Sequence, residues 1–163
     1  MGCYKEMKAI CAIYPSDGEV QLAVPPKSSS RPFVTEDSME YEFIFEPGAN
    51  CVLIRACGIA MIEGWEALDV ELENHPQMRL DLDVLHDYRE LDLRQLSTEN
   101  IVASSNFTKE FWAAKERGRW AFVSRSKADF GMLRMWELRT RHGVNAKIRV
   151  FKTIEDANEW LER

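Results

Sequence analysis

The stretch LDVLHDYRELDLRQLS, residues 82–97, decides how the chain is read. With the two residues before it, LDLDVL (80–85) alternates apolar and polar, as a half-buried strand does, until Val84-Leu85 breaks the alternation. His86, Asp87, Tyr88 and Arg89 then occupy four consecutive positions, all of them residue types that active sites use. A catalytic loop, a phosphorylation switch and the polar end of a buried strand are the competing readings. Neighbours in an extended chain face opposite sides, so His86 and Asp87 cannot pair with each other. Ser97 follows ten residues after Asp87. It fits the N-cap of a helix, its hydroxyl accepting from an otherwise unpaired amide.

Working outward, the pattern stays regular. YEFIFE (41–46) alternates, Pro47-Gly48 suits the centre of a type II turn, and CVLIRACG (51–58) is the return strand. Met61, Trp65, Leu68 and Leu72 mark one helix face, ended by Pro76. The helix expected over 97–118 shows Ala103, Phe107, Phe111 and Ala114 on one side, with Gly118 as its stop. RWAFVS (119–124) reads as a buried strand, and Asp129 is placed to cap a helix that ends at Gly143. AKIRVF (146–151) is another strand. A last helix starts at Thr153 and offers Ile154, Ala157, Trp160 and Leu161 as contacts. The order β-β-α-β-α-β-α-β-α implies an α/β fold: a mixed sheet under about four helices.

Upstream, residues 8–24 read as two short strands around Pro15-Ser16-Asp17-Gly18, and PPKSSSRP (25–32) reads as a linker. The expected division is an extension over 1–38 and a main domain over 39–163. The opening Met-Gly-Cys lacks the hydroxyl residue that myristoylation wants, since position 6 is Glu6. No apolar run reaches the roughly 18 residues of a membrane span, and no signal-peptide core is present. A cytoplasmic protein is expected.

Four cysteines stand at positions 3, 11, 51 and 57, without the spacing of a zinc site, and read as buried thiols. No metal and no cofactor is expected. Net charge is −6, which argues against general nucleic-acid binding. The charge is unevenly spread. Residues 36–99 hold 16 acidic and 4 basic side chains, whereas residues 109–152 hold 12 basic and 4 acidic. Weak attraction between packed halves explains this; a basic face for an anionic ligand explains it too.

The end FGMLRMWELRTRHGVNAKIRVFKTIEDANEWL resembles the C-terminal signature of the bacterial STAS-like family, which is related to anti-sigma-factor antagonists and compared with lipid-binding CRAL-TRIO domains. A Phe-Gly helix containing Arg-Met, a strand ending Val-Phe and a helix with Ala-x-x-Trp-Leu carry the likeness. Asp87-Tyr88-Arg89 and Leu96-Ser97 extend it upstream. The resemblance spans residues 39–163. It implies the STAS-like α/β fold and a small binding or regulatory module that is not an enzyme. It also implies a protein partner or homodimer, with a hydrophobic ligand as the other possibility. The family's phosphorylated serine follows its strand directly. Ser97 lies too far on to copy it, and remains only a weak candidate for phosphorylation.

No Gly-x-Ser-x-Gly, His-Glu-x-x-His or phosphate-cradling loop is present, and no catalytic residue is expected. His75 and His142 fall at helix C-termini, where the dipole favours imidazolium. Two binding sites are expected instead. One is an anion site where parallel strands end, built from Asp87, Arg89, Arg125, Ser126, Lys127 and Lys152. The other is an apolar pocket or interface on the helix near 130–142, from Phe130, Met132, Met135 and Trp136, suited to a second subunit or a lipid-like anionic ligand.

Overall fold

The computed structural model describes residues 38–45, 48, 50–113 and 116–162, leaving aside the side chains of 116 and 117. Five strands form one sheet in sequence order: β1 (Glu40–Phe45), β2 (Cys51–Ile59), β3 (Asp83–Asp92), β4 (Glu116–Val123) and β5 (Asn145–Phe151). Between and after them run four helices: α1 (Ile62–Glu73), α2 (Thr98–Trp112), α3 (Lys127–Thr140) and α4 (Ile154–Leu161). This is the mixed α/β fold expected. The hairpin and linker expected over 8–32 lie outside the described residues, as does Pro47. Gly48 has φ 82°, which the third position of a type II turn requires.

β1 and β2 pair antiparallel, and β2 to β5 are parallel neighbours. Consecutive parallel strands joined by right-handed crossovers place every connecting helix on one face. Accordingly α1, α2 and α3 share one core with Val52, Ile54, Val84, Tyr88, Trp120, Phe122 and Ile148. The opposite face packs Cys51, Leu85, Ala121, Val123 and Phe151 against α4, through Ala157, Leu161, Ile154 and Trp160. The central strands are therefore buried on both sides, and alternation assigns each residue to one core or the other. Arg119 ties the second face together. Its guanidinium donates to Asp83 (Nη2–Oδ2 2.7 Å) and to the carbonyls of Trp160 and Leu161 at the end of α4 (2.8 Å each).

Four expectations are corrected. β3 runs on to Asp92, so the His86–Arg89 quartet lies inside a strand. The cause is β2, which continues past a bulge and pairs Cys57–Ile59 with Glu90–Asp92. Helix α2 ends at Trp112, and Gly118 belongs to β4. A Cβ there would meet Asp83 Oδ1 at 2.6 Å and the Leu82 carbonyl oxygen at 2.7 Å. The glycine permits close approach of two strands. The buried side of α2 is Ile101, Ser104, Ser105, Thr108 and Trp112. Ala103 is exposed, Phe107 and Phe111 are half-buried, and Ala114 lies outside the described residues. The polar residues turn inward because the core supplies partners: Trp136 donates to Ser104 (3.2 Å) and Thr140 to Ser105 (3.1 Å). Finally, Ser126 is the N-cap of α3. Asp129 sits three residues on, its backbone N–H donating to Ser126 Oγ at 3.0 Å.

Gly118→Ala should destabilise the domain by about 2 kcal/mol, since backbone and carboxylate leave the methyl no space. Gly131→Ala, in open space inside α3, should stabilise it by roughly 0.5–1 kcal/mol. Urea denaturation of the two variants checks both signs.

Candidate functional site

The expected alignment of strand ends is corrected: Val123 and Phe151 end β4 and β5, whereas Asp87 lies inside β3, which runs on to Asp92 beside β2. Arg55, Asp87, Val123 and Phe151 are register partners across four strands. Asp87 and Arg89 are two apart, hence on one face, and they occupy each other. Arg89 donates from Nε to Oδ1 (2.8 Å) and from Nη2 to Oδ2 (2.9 Å). That hydrogen bond chiefly raises the Arg89 pKa, and Glu155 adds to it. Asp92 and Arg94 repeat the arrangement on the surface. Ser126 is taken up as a cap. Arg125 and Lys127 are exposed and form no ion pair among the described residues. Lys152 holds its Nζ 5.4 Å from the centre of the Phe130 ring. Among the described residues, no hydrogen bond or ion pair joins Arg125, Lys127 or Lys152 to the Asp87–Arg89 pair. Ser97 caps α2 in a reciprocal box: Asn100 N–H donates to Ser97 Oγ (3.2 Å) and Ser97 N–H to Asn100 Oδ1 (2.9 Å).

Of the expected apolar set, Phe130, Met132 and Met135 are half-buried against the larger core. Trp136 is buried, and it leads to a feature the sequence reading missed. Beneath α1, α2 and α3 lies a cavity of about 30 Å³. α1 supplies Trp65, Leu68, Asp69 and Leu72 at helical spacing, and β3 supplies Val84, His86 and Tyr88 at strand spacing. β4 adds Trp120 and Phe122; α2 adds Ser104, Thr108 and Trp112; α3 adds Leu133 and Trp136. Four of the chain's five tryptophans therefore converge here. The signal was present: once β3 extends past residue 85, Val84, His86 and Tyr88 must share a face.

Most polar groups of this chamber are paired. His86 Nδ1 and the Tyr88 hydroxyl share a hydrogen bond of 3.0 Å, and Thr108 donates to Asp69 Oδ2 at 3.3 Å. His86 stacks on Phe122 at 4.0 Å between centroids, and Tyr88 lies over Trp65. The indole N–H groups of Trp65 and Trp120, both buried, have no hydrogen-bond partner. A cavity needs roughly 10–15 Å³ to hold one water, so this one takes a few atoms. Burial pushes the His86 pKa down to about 3, and burial raises that of Tyr88, with the Asp69 charge adding. Both are neutral at pH 7. His75, expected to favour imidazolium, is corrected: it stacks on Phe45 at 4.3 Å, and burial lowers its pKa. Among the described residues no group of three or more His, Cys, Asp or Glu could hold a metal. No helix there is long and apolar enough to cross a membrane.

A histidine held neutral in the fold but free to protonate when unfolded makes stability fall as pH drops below its ordinary value of 6.5, down to its folded value of about 3. Urea denaturation should show a loss of about 2 kcal/mol from this group between pH 7.5 and pH 5. His86→Phe should remove that part of the slope; an unchanged slope would show that His86 is not buried neutral.

In comparison with known proteins, no family model matches the chain, and no curated protein matches it. The structure is similar to that of an uncharacterized protein from the DUF3478 family, with a SpoIIAA-like fold, from Shewanella loihica PV-4. The TM-score is 0.49 at 18% identity, over 76% of this chain and 93% of that one.

Proposed function

We propose that this domain is a non-enzymatic binding and regulatory module that holds a small ligand in the chamber under α1, α2 and α3. One observation carries the reading: Trp65 and Trp120, two residues that line the cavity, have buried indole N–H groups without a hydrogen-bond partner, while the other polar groups of the lining mostly have one. Buried donors without acceptors are costly and rare, and they mark places where another molecule completes the bonding. The chamber's chemistry fits binding better than catalysis. His86 and Tyr88 bond to each other, and burial holds both neutral. The anionic, lipid-like ligand expected from the sequence gains less support, because the lining holds the Asp69 carboxylate and no cation.

A protein partner or second copy is the other reading, and it rests on a different surface. Phe107 and Phe111 stack at 5.4 Å on the half-buried side of α2, and Leu138 on α3 is 48% exposed. Such apolar groups suit a protein contact.

Leu133→Phe adds volume to the chamber lining. After exposure to a small-molecule extract, native mass spectrometry should show a low-mass species on the wild-type protein that denaturation releases. Leu133→Phe, folded by circular dichroism, should lose it. Retention by the filled variant would remove the chamber from the proposal. Light scattering that shows a dimer weakened by Phe107→Ser would instead favour the second reading.

A further inference from the structure

We infer that the chamber selects a small uncharged molecule bearing a carbonyl-type oxygen, which accepts from the indole N–H of Trp65 or of Trp120. The inference rests on the ligand reading above and adds the ligand's chemical class.

Hydrogen counting comes first. Trp65 and Trp120 each bring one donor and, as indoles, no acceptor. The His86–Tyr88 pair holds two hydrogens and uses one in its shared bond, so whichever tautomer forms, one is left over. The Trp136 donor is already given to Ser104. Asp69, Ser104 and Thr108 bring oxygens to the lining, yet neither indole hydrogen finds an acceptor, and the matching ligand atom is an oxygen with a free lone pair.

Charge comes second. Asp69 is the only ionised side chain of the lining, and no lysine or arginine belongs to it. A carboxylate or phosphate would be stripped of water with no counter-ion and would face Asp69. A cation has aromatic faces and Asp69 in its favour, but an ammonium has no lone pair and would leave the indoles unpaired. A neutral oxygen meets neither penalty.

Size and access come third. The cavity, about 30 Å³, holds more than one water and less than a large metabolite. Asp69 is the one lining residue that is not buried, which places the approach from solvent between α1 and α2. An apolar body of a few carbons then lies against Leu72, Val84 and Leu133, with its oxygen toward the indoles.

Three small probes of four heavy atoms each separate the alternatives: acetone, acetate and isopropylammonium, neutral, anionic and cationic in turn. Each is titrated into 15N-labelled protein while the five indole N–H resonances are followed. Trp160, on the other face of the sheet, is the internal control. The ketone should move the Trp65 or the Trp120 signal downfield and saturably, leave Trp160 in place, and bind at least ten-fold more tightly than either ion. Phenylalanine in place of the indole that moves, Trp65→Phe or Trp120→Phe, should weaken the ketone about ten-fold; if that variant loses spectral dispersion, the wild-type titration alone decides. Equal or tighter binding of either ion overturns the neutral-oxygen inference and leaves the ligand reading standing. So does ketone binding that leaves both indole signals unmoved. If none of the three shifts any chamber resonance, the inference and the ligand reading fall together.

Discussion

The structure depends on one constraint: β3 is buried on both faces. A strand in that position has no solvent side, and its alternation sorts side chains between two interiors of different character. Val84, His86 and Tyr88 fall to the side of three helices, where the aromatic chamber lies. Leu85 falls to the other, under α4, and Asp87 and Arg89 share its alternation there. The quartet that looked like one polar motif is thus two half-sites, separated by the thickness of the sheet. A shift of one residue in register would exchange them, placing a carboxylate among tryptophans. The eight register pairs with β2 hold β3 in the register that avoids this.

The two faces solve burial differently. On the helix-rich face, polar groups survive burial by finding partners on neighbouring elements: Ser104 with Trp136, Ser105 with Thr140, Thr108 with Asp69. Small hydroxyl residues on α2 also let α3 approach closely. That moves the bulky Phe107 and Phe111 to the flank of the helix. Where this accounting stops, at Trp65 and Trp120, the chamber begins.

How much of this is legible in the sequence depends on how local the cause is. Ser97 and Thr153 are legible as caps because a cap and its amides are near neighbours in the chain. Strand order and the mixed sheet are legible because short crossovers leave few topologies. Gly118 misleads because a helix stop and a close strand approach both call for glycine, and only the position of Leu82 and Asp83 tells them apart. Asp129 misleads because Ser126, three residues earlier, competes for the same helix start. The buried face of α2 is illegible for a deeper reason. Apolar periodicity picks Phe107 and Phe111, while the true face sets Ser104, Ser105 and Thr108 between Ile101 and Trp112, and the partners of those hydroxyls lie more than thirty residues away. The chamber is hidden likewise, its tryptophans scattered from residue 65 to residue 136.

Arg119 carries a consequence for the second face. α4 is eight residues long, too short to persist alone in water, and its last turn has no basic side chain of its own. The cation that meets its terminal carbonyls comes from β4, and the same guanidinium grips Asp83 on β3. The final helix is therefore hinged to the sheet through a single side chain at its C-terminal end, with Ala157 and Leu161 as the apolar seal. Losing that one hinge would turn a closed interior into a hydrophobic flank open to water, with the Asp87–Arg89 pair beside it.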